Sequence, residues 1–109
     1  MTKTKLLRDL RALDTRLHST EMQNFFSTKT EPTRARFVSL RNEVSQQVSK
    51  LTNAELEDIA NKLSELSADI ESGIENLQAK LDALNNTVAI LNTISTVVGL
   101  VGRVLAFTA

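Results

Sequence analysis

No cysteine occurs in the 109 residues, which excludes disulfide bonds, thiolate metal sites and cysteine nucleophiles. Proline occurs once and glycine three times. A β-rich chain of this length needs many turns drawn from Gly, Pro, Asn and Asp, so their scarcity argues for a few long helices. The aromatic residues are Phe25, Phe26, Phe37 and Phe107, too few and too scattered to make a stacking platform for nucleic-acid bases. The single histidine, His18, has no Glu-x-x-His pairing of the kind that builds carboxylate-bridged metal sites on helices. A lone helical histidine is more often a surface polar residue than an acid–base catalyst. Gly73, Gly99 and Gly102 fit no phosphate-binding loop. The opening stretch MTKTKLLRDLRALDTRL has no apolar run of signal-peptide length, because charges recur every few residues. These absences leave no candidate catalytic, cofactor-binding or metal-ligating residue. The expectation is a non-enzymatic, cytoplasmic protein without a cofactor.

Charge is balanced overall but not along the chain: 13 basic and 13 acidic residues give a net charge of zero. Lys3, Lys5, Arg8, Arg11, Arg16, Lys29, Arg34, Arg36, Arg41 and Lys50 outnumber Asp9, Asp14, Glu21, Glu31 and Glu43 in the first half. Beyond it, Glu55, Glu57, Asp58, Glu65, Asp69, Glu71, Glu75 and Asp82 outnumber Lys62, Lys80 and Arg103. A basic half can be a nucleic-acid footprint, but no reading element accompanies this one. The simpler reading is that oppositely charged halves attract and favour one packing orientation, within the chain or between subunits. The acids of 55–71 read as a solvated face.

What is present is helical periodicity, and the expected fold is all-α: a helical hairpin or bundle forming one domain over 1–109, with a long C-terminal coiled-coil-like helix. Leu6, Leu10, Leu13 and Leu17 alternate at spacings of four and three, predicting a helix over about 3–26. Phe25 and Phe26, at its end, are expected to close one end of a core. FFSTKTEPTR places a turn at about 27–31, with Pro32 suited to the first turn of the next helix. Phe37, Leu40, Val44, Val48 and Leu51 continue the pattern on a helix over about 32–51. Thr52–Glu55, TNAE, matches a capping box. It starts a separate helix over about 53–107 or lies inside one continuous rod.

Leu56, Leu63, Ile70, Leu77, Leu84, Leu91, Val98 and Leu105 fall seven apart without an exception. Such a heptad seam argues for wrapping around partner helices. The companion stripe drifts: Ile59, Leu66, Ile94 and Val101 lie three after a seam residue, whereas Ile74, Leu81 and Val88 lie four after one. A packing face that rotates in this way suits a bundle of three or more helices better than a two-stranded coil.

Val88 to Ala109 contains one charge, Arg103, and from Ala83 to Gly102 no charge occurs, about the length a bilayer requires. Seven Asn, Thr and Ser residues in that interval, and no adjacent basic cluster, favour burial in protein over spanning. The leading expectation is a scaffold or adaptor that self-associates, or pairs with another helical protein, through the eight seam residues. The alternative is a membrane-active or tail-anchored protein whose 84–107 segment enters a bilayer. Nucleic-acid binding through 1–41 is the least favoured. The stripes of Leu6–Leu17 and Phe37–Leu51 are shorter than a straight seam of about 74 Å, so an oligomer is expected. A chain that covered its own seam would have to break the long helix, near Asn85 and Asn86.

Overall fold

The leucine stripe of the first helix is buried as expected, and its periodicity stops where a serine can cap. In a computed structural model, which describes residues 1–106, α1 runs Lys3–Leu17 with Leu6, Leu10, Leu13 and Leu17 inside. Its start is capped by the Thr2 hydroxyl, which accepts from the Lys5 amide. The helix does not continue to 26. Ser19 adopts an extended backbone and its hydroxyl accepts from the Met22 amide, so a new helix, α2 (Thr20–Ser27), starts there. The short α2 folds Met22 and Phe26 over one end of the core, and the Phe26 ring stacks on Phe37 at 3.9 Å.

After a turn at 28–30, α3 spans Glu31–Asn53 with Pro32 in its first turn. Phe37, Leu40, Val44 and Leu51 are buried on it; Val48 is half-buried, and Gln47 takes a core position. The expected capping box does not form: the Thr52 hydroxyl donates to the Val48 carbonyl, and the helix runs on to Asn53. Ala54 and Glu55 are extended, which separates α3 from α4 (Leu56–Ala83). The expected helix over 53–107 is therefore two. Leu84 takes the left-handed conformation (φ 48°, ψ 41°), and α5 starts at Thr87 and ends at Leu105. The Asn86 side chain caps α5 by accepting from the Ala89 amide.

These five helices, with no strand among the described residues, make an all-α bundle. α1 and α3 form one antiparallel hairpin, tied by the Lys3 ammonium on the Ala54 carbonyl (2.6 Å) and the Ser45 hydroxyl on Asp14 (2.6 Å). α4 and α5, joined by three residues, form the other and share the most extensive helix contact. The hairpins pack side by side so that α1 adjoins α4 and α3 adjoins α5. The apolar stripes of all four long helices meet on the ring axis. The charge asymmetry acts at the α1/α4 contact. α1 carries five cations and α4 seven acids, and Arg16 meets Asp82 at 2.5 Å. An exposed pair contributes only about 0–1 kcal/mol, so its larger effect is to favour the parallel α1/α4 arrangement.

Candidate functional site

The heptad seam is the one constellation that the sequence singles out, and folding divides it between two antiparallel helices. Leu63, Ile70 and Leu77 on α4, and Leu91, Val98 and Leu105 on α5, are buried within the single chain. Leu84 lies half-buried in the connecting turn, and Leu56, the first seam residue, is 58% exposed. Six of the eight are thus brought into one core, where α1 and α3 supply the cover expected of other copies. Of the companions, Ile59, Leu66, Ile74, Leu81, Ile94 and Val101 are buried, whereas Val88 is 64% exposed. The hairpin is close-packed at Gly73, where a Cβ would lie 3.3 Å from the Val97 methyl. A side chain at 73 would press on that methyl, which would have to give by a few tenths of an ångström.

The structure adds core residues that the seam did not include. Ile90, Val97 and Val104, themselves seven apart, let α5 bury a second face against α3 and α4 together. Their spacing was the available signal. Gln47 was not recognisable: it reads as one more polar residue in SQQ, yet it is 8% exposed, its amide donating to the Val98 carbonyl at 2.8 Å. Its carbonyl oxygen has no protein partner.

The outer faces differ chemically. α4 presents Glu57, Asp58, Glu65, Asp69, Glu75 and Asp82 to solvent. α5 presents Asn92, Ser95, Thr96 and Gly99, with Arg103 in its last turn. Nothing lies within 4 Å of the place a Gly99 Cβ would occupy, so the backbone is bare at mid-helix. α5 also has the length and composition of a membrane span, 19 residues at a mean hydropathy of 1.8, with half of that window buried in the bundle. Phe107, part of the expected tail, lies outside the described residues.

His18 is exposed at the end of α1, with Nδ1 2.8 Å from the Asp14 carbonyl and 3.3 Å from its carboxylate. No cluster of three metal-ligating side chains occurs among the described residues. An open recess of about 660 Å³ is lined by Lys50, Asn53, Asp58 and Ala106 among others. Of the eight seam residues it adjoins Leu105 alone. Comparison with family models, curated proteins and solved structures finds no match.

Proposed function

We propose that this chain is a non-enzymatic helical interaction protein, a cytoplasmic scaffold or adaptor whose assembling element is the α4–α5 hairpin. The observation that carries the reading is the heptad pattern itself. A core shared by four helices of one chain requires amphipathic faces, but not a seven-residue repeat held in phase from Leu56 to Leu105. Uniform phase is useful when long helices of equal pitch lie along one another, as copies of one chain do. The charge-segregated outer faces supply orientation and salt sensitivity to such contacts. In the closed bundle six seam residues are occupied by the chain's own α1 and α3, so association is weak and rises with concentration.

A membrane-active role is the second reading, favoured by the length and hydropathy of α5. Its outer face of Asn92, Ser95 and Thr96 and the charge at Arg103 weigh against it. Light scattering from micromolar to millimolar protein tests the first reading. The expected result is a monomer mass that climbs with concentration. A constant monomer mass over the whole range, with co-sedimentation on neutral vesicles, contradicts it in favour of the second.

A further inference from the structure

The hairpin does not explain why α4 and α5 share one phase. Across a loop, the rotation of one helix is independent of the other, yet the seam and its companions step from Leu77 through Leu81, Leu84, Val88 and Leu91 at intervals of four, three, four and three. That stepping crosses Leu84–Asn86, the three residues that are not helical. The pattern is the one a continuous helix would need, and the exposure record agrees with it. Of the apolar residues on the pattern, those left uncovered by the bundle are Leu56 and Val88, which are exposed, and Leu84, which is half-buried. Of these three, Leu84 lies in the break and Val88 in the first turn after it. The turn is also made by an unsuitable residue: the left-handed conformation falls on Leu84, where a Cβ and a branched side chain disfavour it, and not on Asn85 or Asn86.

From these three observations we propose that α4–α5 is a reversible hairpin. It opens at Leu84–Asn86 into one helix of about 74 Å, and the occupant of the seam it exposes is the same seam of further copies of this chain. The proposal rests on the scaffold reading above and names its partner and its switch. Opening relieves Leu84 and brings Leu84 and Val88 into line with the buried residues on either side. It also withdraws the apolar faces of α4 and α5 from α1 and α3, which only a self-complementary partner of equal length replaces. Ile90, Val97 and Val104 widen the apolar face of the C-terminal part, which directs the rods into bundles of three or more, not pairs.

The cysteine-free chain permits a direct test. Gly73→Cys with Val97→Cys places two thiols where a Cβ at 73 already sits 3.3 Å from the Val97 side chain, so oxidation locks the hairpin. The expected result is that the oxidised protein stays at monomer mass at concentrations where its reduced form assembles. Equal assembly of both forms overturns the opening while leaving the scaffold reading intact; absence of assembly in reduced and unmodified protein alike overturns both. Binding of the reduced but not the oxidised form to neutral phosphatidylcholine vesicles, without assembly in solution, assigns the opened face to lipid and overturns the choice of occupant. Spin labels at Asp58→Cys and Ala106→Cys, which line one recess in the closed chain, check the geometry without a lock. A separation of about 70 Å must appear in the assembled fraction; a short distance alone there refutes the rod. Leu84→Gly favours the turn and disfavours the helix, and should raise the concentration needed for assembly by on the order of tenfold. An unchanged threshold contradicts the proposal.

Discussion

Leu63→Ala and Leu56→Ala remove the same three carbons from two positions seven residues apart on one helix, and the fold assigns them different costs. Leu63 is 2% exposed and Leu56 is 58% exposed. Withdrawing three buried carbons at about 0.8 kcal/mol each costs about 2.4 kcal/mol in transfer alone. The cavity left between α4 and its neighbours brings the total to about 2–5 kcal/mol. A domain of this size has roughly 5–15 kcal/mol of stability, so Leu63→Ala removes a substantial fraction. Leu56→Ala, with most of its side chain in water, should fall within about 0.5 kcal/mol of the parent. Urea titration followed by circular dichroism at low micromolar concentration separates the two. With a slope of about 2 kcal/mol per molar, the Leu63 variant loses about 1–2.5 M in midpoint and the Leu56 variant barely moves. Equal effects of both substitutions would mean that the seam is used as one continuous surface under those conditions, and would refute the closed bundle.

Gln47→Leu should stabilise the chain by about 1 kcal/mol, since it removes a buried acceptor without a protein partner at the loss of one hydrogen bond to Val98; a lowered melting temperature would show that the amide is needed. Gly99→Ala should add up to about 1 kcal/mol, because the new methyl meets nothing within 4 Å and the helix gains propensity. Removing the α5 cap with Asn86→Ala should cost about 1 kcal/mol in the same thermal assay. The Lys5 ammonium is held above its ordinary pKa chiefly by the hydrogen bond it donates to Asp9 at 2.9 Å. A raised folded-state pKa means that this contribution is fully present at neutral pH and fades only in alkali, beyond the ordinary lysine range. In an NMR titration Asp9→Asn should bring the Lys5 midpoint down, and an unmoved midpoint removes Asp9 as the cause.

Most helical faces were legible because periodicity records burial, whatever does the burying. Leu6, Leu10, Leu13 and Leu17 are all inside, as are Phe37, Leu40, Val44 and Leu51. The same fact explains the main difference between expectation and fold. A heptad stripe reads alike whether its partner is another copy or another helix of its own chain, so Leu63, Ile70 and Leu77 could be identified as core without the identity of their neighbours. The break at Leu84 was illegible from periodicity, which continues through it, and Asn85 and Asn86 were the sole local hint. The break at Ser19 was hidden likewise: an apolar pattern ran on to Phe26, and a single capping hydroxyl redirected the chain. Gln47 carries no local signature, since its burial is decided by where α5 lies. The split charge of the two halves was more informative, because α1 and α4 adjoin and pair through Arg16 and Asp82.

Small-angle X-ray scattering at low micromolar concentration tests most directly whether the chain closes on itself. The forward intensity and the shape come from one curve. The account predicts a 12.0 kDa particle with a radius of gyration a little above the 13.8 Å of its Cα trace and a longest dimension somewhat above the 43 Å spanned by its Cα atoms. A multiple of that mass at the lowest concentration, with a longest dimension beyond about 70 Å, would contradict it.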